Sequence, residues 1–101
     1  MTNQAGYIMA DNNGTIHGFG STPDAARADA IEYLSHAMIL LVADDADEEE
    51  IPCEASWMRA SDLRLYPASP ALMAAVPDLG GDIAWRLDAN RIAVLWDEEV
   101  A

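Results

Sequence analysis

The chain has 101 residues, 51% of them hydrophobic, and carries 18 acids against five bases, a formal charge of -13 at neutral pH. That size and apolar fraction fit one folded domain spanning residues 1–101 and argue against uniform disorder. A field this negative repels phosphate and anionic headgroups, so direct binding to nucleic acid or to a membrane surface is disfavoured and basic protein surfaces are favoured.

All five bases are arginines, at positions 27, 59, 64, 86 and 91. Cys53 has no second cysteine to pair with, which fits a reducing compartment. The first residues lack the basic and apolar regions of a signal peptide, and the apolar run over 37–43 is too short for a membrane span. A cytoplasmic protein is expected.

Residues 6–11 read as a strand and 15–19 as its antiparallel partner, because Asn12, Asn13 and Gly14 accept the positive φ of a tight hairpin turn. A helix then opens at Ser21-Thr22-Pro23-Asp24. Ser21 or Thr22 caps it, Pro23 suits the first turn, and Asp24 faces the positive end of the dipole. Ala30, Ile31, Leu34, Ala37, Met38 and Leu41 share one helical face, which predicts a helix ending between residues 38 and 43. The acidic run would extend it. Acids at a helix C-terminus are unfavourable, so that placement suggests a purpose other than helix stability.

Pro52 disfavours helix around residue 51, and residues 54–59 around Trp57 fit a short strand or a short helix. Residues 61–66 alternate as a strand. Ser69-Pro70 opens a second helix over 70–76, ended by Pro77 and then Gly80-Gly81. Residues 82–87 and 91–96 form a second hairpin about Asp88, Ala89 and Asn90. The order β-β-α-β-α-β-β predicts a small α+β domain, with a largely antiparallel sheet and two helices on one face.

The candidate chemistry is sparse. His17 and His36 are the only imidazoles, and nothing beside either in sequence marks a tuned base. Asp45, Asp47 and Glu49 alternate like calcium ligands but lack the mid-loop glycine and the terminal glutamate spacing. Cys53 has no partner thiol or neighbouring histidine for zinc. Gly14, Gly18 and Gly20 serve a hairpin and a helix start rather than a phosphate loop. No cofactor, metal or catalytic set is expected, and the chain reads as non-enzymatic.

The acidic loop at 43–54 is the strongest functional candidate. It holds Asp44, Asp45, Asp47, Glu48, Glu49, Glu50 and Glu54 without a basic residue, a density that favours solvent exposure. If extended, its carboxylates average roughly 5 Å apart. A nucleic-acid strand spaces its charges at ~3.4 Å, so the loop fits a groove lined by Arg and Lys. The bland reading is that the acids only keep the protein soluble. Asp97, Glu98 and Glu99 form a second patch. Tyr7, Phe19, Trp85 and Trp96 read as core, whereas Trp57, just past the acidic loop, is a candidate interface anchor.

In size, acidity, lack of lysine and order of elements, the whole chain resembles the small anti-CRISPR proteins of phages and mobile elements. That resemblance rests on no shared motif and carries over no residue. It implies stoichiometric inhibition of a CRISPR effector through its basic nucleic-acid channel. An antitoxin or immunity-type partner of a basic toxin would present the same surface physics. In either case Asp44, Asp45, Asp47, Glu48, Glu49, Glu50, Glu54, Trp57, Asp97, Glu98 and Glu99 are the expected partner-binding residues.

Overall fold

A computed structural model of the protein describes residues 4–52 and 54–99. Cys53, on which the disulfide and zinc readings rest, lies outside the described residues. The expected hairpin is present as β1 (Gly6–Ala10) and β2 (Ile16–Gly20). Its turn is built by Asp11, whose Oδ1 accepts the N–H groups of Asn13 and Thr15 at 2.9 and 3.0 Å, while Gly14 takes φ 84°. A bulge breaks the pairing. Met9 faces Gly18 and Ala10 faces Ile16, leaving His17 as the extra residue.

Helix α1 (Pro23–His36) starts at Thr22, whose Oγ1 accepts the Ala25 N–H at 3.1 Å. It ends earlier than the apolar spacing predicts. Only Ala26, Ala30 and Leu34 are buried; Ile31 is exposed and Met38 is 86% exposed. The narrow stripe follows from what it packs against. A β-carbon on Gly18 would lie 2.3 Å from the Ala30 nitrogen and 2.6 Å from the Ala26 carbonyl oxygen. One on Gly20 would lie 2.7 Å from the Ala25 β-carbon. Two glycines on a strand and alanines on a helix bring backbone against backbone, so longer side chains C-terminal to Leu34 find no core.

After α1, Met38 turns the chain with φ 59°, and the residues expected to continue the helix form β3 (Ile39–Val42). Its partner is β4 (Ser56–Arg59), parallel to it in a separate two-stranded sheet, with Leu40 beside Trp57. The acidic run therefore follows a strand, and the expected conflict with the α1 dipole does not arise. Strand β5 (Arg64–Ala68) leads through the cap Ser69 into α2 (Pro70–Leu79), which runs past Pro77 to Gly80 at φ 85°. Pro77 falls in the last turn, where few intrahelical bonds remain to be lost. Strands β6 (Trp85–Leu87) and β7 (Ala93–Leu95) close the chain.

The result is a small α+β domain with seven strands and two α-helices among the described residues. The main sheet runs β2-β1-β5-β7-β6, antiparallel except for the β5–β7 pair. The helices lie on opposite faces of it rather than on one. Ile8, Ala10 and Ala68 pack with Leu72 and Val76 of α2, while the alternate residue Met9 packs with Ala26 and Ala30 of α1. Strand β1 is thus buried on both sides, and its near-continuous run of apolar residues follows from that.

Gly18→Ala should force α1 off the sheet. We expect a loss of at least ~2 kcal/mol and a melting temperature lower by roughly 10 °C, measured by thermal unfolding. An unchanged melting temperature would show that the close approach is not required.

Candidate protein-interaction surface

The acidic run is folded, not extended. Ala43 to Ala46 make a turn, Asp47 caps a single 3₁₀ turn (Glu48–Glu50) through the Glu49 N–H at 3.0 Å, and Ile51 is buried. Successive residues of a 3₁₀ turn point about 120° apart, so the even spacing of charges assumed for an extended segment does not exist. The carboxylates instead project in different directions from a folded bend. Asp45, Glu49, Glu50 and Glu54 are exposed, whereas Asp44 accepts the Ser61 N–H at 2.7 Å.

Arg59 on β4 holds this loop. Its Nη1 donates to the carbonyls of Ala43, Asp44 and Ala46 at 3.2, 3.0 and 3.1 Å, and Nη2 reaches Glu48 at 3.5 Å. The same guanidinium lies over the Trp57 ring, 5.2 Å from its centroid. One cation satisfies main-chain oxygens of a bend and supports an aromatic that is 38% exposed. Leu40, across from Trp57 in the parallel pair, is 44% exposed and enlarges the apolar spot.

The second patch repeats the device. Arg86 on β6 donates from Nε to the Trp96 carbonyl at 3.2 Å and from Nη2 to the Glu98 carbonyl at 3.0 Å. Asp97 and Glu99 stay exposed, but the Glu98 carboxylate turns inward and accepts from Ser69 Oγ at 2.7 Å and from the Leu95 N–H at 3.1 Å. Glu98 therefore secures the α2 cap rather than a partner. Trp96, expected in the core, is 62% exposed, while Trp85 packs on Tyr66 and donates to the Gly14 carbonyl at 2.7 Å.

These pieces meet at the β1–β2 turn. A hollow of about 170 Å³ lies among Asn12, Asn13, Trp57, Met58 and Asp62. Another, of about 520 Å³, is lined by residues 12–15 together with Asp82, Trp85 and Trp96. Asn12 and Asn13 belong to both, so the two exposed tryptophans flank one turn. Of these, Trp57 is expected from the sequence, whereas Trp96, Leu40, Asp62 and the turn come together only in the fold.

His17, read as an ordinary residue, has an unusual setting on the other side of the hairpin. Its Nε2 donates to Asp11 Oδ2 at 2.9 Å and its ring packs on Tyr33 with centroids 5.4 Å apart. Burial alone would raise the Asp11 pKa, but hydrogen bonds from His17, Thr15 and Asn13 outweigh it and hold the carboxyl below 3.8. The ionised carboxylate only accepts, so it fixes the proton on Nε2. Among the described residues, His17 Nδ1 is the one buried side-chain nitrogen or oxygen with no hydrogen-bond partner. Such an atom costs about 1–3 kcal/mol. No group of three His, Cys, Asp or Glu among the described residues is placed to hold a metal ion.

No family model matches this chain, and neither a curated protein nor a solved structure matches it.

Arg59→Lys keeps one cationic nitrogen for the carbonyls but loses the second nitrogen that reaches Glu48 and the planar face over Trp57, so we expect a loss of ~1 kcal/mol. Amide hydrogen exchange should quicken across residues 43–50 and hold steady in β1; unaltered exchange in the loop would contradict the clamp. For Asp11 the native pKa is depressed, so its stabilising effect is complete above the unfolded value and lost as pH falls through the native one. The stability gap between the parent and Asp11→Asn should therefore be flat above ~pH 5 and close below it. A gap that widens in acid would refute this.

Proposed function

We propose that the protein is a non-enzymatic, acidic binding protein that occupies a basic, nucleic-acid-binding surface of another protein and thereby inhibits it. What supports this reading is the placement of two exposed tryptophans, each beside carboxylates, on either side of one hairpin turn. Aromatic anchors within an acidic surround suit a partner rich in Arg and Lys, which offers both charge and cation–π contact. The surface works as a cluster of charge, not as a ribbon imitating a phosphate backbone. An effector of the CRISPR type is one class of target with the required basic channel, and a basic toxin is another; both place the protein in the cytoplasm. No helix among the described residues is long and apolar enough to cross a membrane.

The test begins with capture of partners from a lysate at low salt, followed by direct assay of the recovered partner's nucleic-acid binding. A stoichiometric amount of this protein should abolish that binding. Its affinity should fall at least tenfold between ~50 and ~200 mM salt. Replacing Trp57 and Trp96 together by Ala should weaken it by about a hundredfold, and Asp45→Lys with Glu49→Lys should weaken it and flatten the salt dependence. A partner that still binds nucleic acid when saturated would sink the inhibitory reading. Salt-insensitive binding would sink the electrostatic one.

A further inference from the structure

A groove of about 530 Å³ opens along the edge strand β2, between α1 and the C-terminal end of α2, and neither Trp57 nor Trp96 lines it. Its walls include His17, Phe19, Asp29, Glu32, Tyr33 and Val76. The volume is that of a small-molecule site, and the mixture of apolar floor and few polar groups is what such sites show.

Every charged or dipolar feature on its wall except one favours positive charge. Asp29 and Glu32 contribute carboxylates, Asp29 being held in place by the Phe19 N–H at 3.0 Å. Gly80 and Pro77 bring the C-terminal end of α2 to the rim, the negative end of its dipole. Tyr33 offers a ring face and is half exposed. No arginine lines the groove, and the exception, His36, sits 3.9 Å from Glu32. His17 is 8% exposed, with Asp11 fixing its Nε2 proton and its Nδ1 without a partner.

We propose that this groove binds a small organic cation, an ammonium, amidinium or guanidinium on an apolar body, with its charge between Asp29 and Glu32 and its body against Tyr33. The site is independent of the basic-surface reading above. The cation is either a free small molecule or a basic side chain of a bound protein; the chemistry of recognition is the same.

Benzamidine and benzoate have nearly the same shape and opposite charge, which makes them the decisive pair of probes. Titration of the folded protein is followed by the ring ¹⁵N signals of His17 and the ring signals of Tyr33. Benzamidine should shift both in a saturable way below about 10 mM, and benzoate should shift neither. Glu32→Gln and Tyr33→Leu, both at exposed positions that leave folding intact, should each weaken benzamidine about threefold. A capped arginine peptide then separates the sources. Tighter binding than benzamidine marks a partner's side chain as the natural occupant, and weaker binding marks a free small molecule. Equal response to benzoate, no saturable response to benzamidine, or unaltered affinity in both variants would overturn the proposal.

Discussion

The close seat of α1 on the β1–β2 hairpin is the constraint from which most of this structure follows. Gly18 and Gly20 leave no room for a side chain, and Ala26 and Ala30 supply the matching small residues on the helix. Backbones brought this near lock the hairpin to the helix with little apolar area, so the strand must be positioned accurately. The bulge at His17 does part of that work, changing the register between Met9 and Ala10. It also turns the imidazole toward Tyr33 and Asp11 rather than into solvent. The groove beside α1, the buried dyad and the exposed Asn12–Asn13 tip all follow from this one packing decision.

The arginines explain how so acidic a chain keeps its shape. Arg59 and Arg86 do not neutralise the neighbouring carboxylates one for one; they donate mainly to main-chain carbonyls at the two acidic bends. Backbone oxygens that would otherwise crowd together in a tight turn are satisfied, and the carboxylates are left facing water. A lysine offers one compact ammonium and could not also reach Glu48 and lie over Trp57, as Arg59 does, or donate from two separated nitrogens, as Arg86 does, which gives a physical reason for arginine at these two positions. Asp11 and Asp88 perform the complementary task at the two hairpin turns. Each accepts two backbone N–H groups on one oxygen, Asp11 with a glycine at positive φ in its turn and Asp88 with Arg91 at φ 63°.

How much of this was legible in the sequence depends on the range of the interaction responsible. The Asn-Asn-Gly turn and the Thr-Pro and Ser-Pro helix starts are local chemistry, and each was readable from its own few residues. Strand β3 was hidden because Ala37, Met38 and Leu41 happen to continue the helical spacing of Ala30 and Leu34; nothing local says that the glycine seat ends there. The order of the acidic loop was illegible because its anchor, Arg59, lies up to 16 residues away. That the helices take opposite faces has a local signature. Ile8, Met9 and Ala10 form a continuous apolar run, which a strand covered on one side only would not need.

The ordering of the acids supports the proposed binding reading over one in which the charge serves solubility alone. Charge kept only for solubility works as well on a loose segment as on a fixed one, and it works best when no base offsets it. Here a cap at Asp47, a buried Ile51 and a guanidinium in the bend hold the segment in one conformation, at the cost of placing positive charge inside the negative cluster. A surface that must meet another gains from exactly that trade, since groups already in place lose less entropy on binding. Trp57 adds to the argument, because the same guanidinium that fixes the loop also fixes the ring. Order at the loop and order at the aromatic are one feature, and that shared order is what supports the proposed binding surface over a solubilising segment.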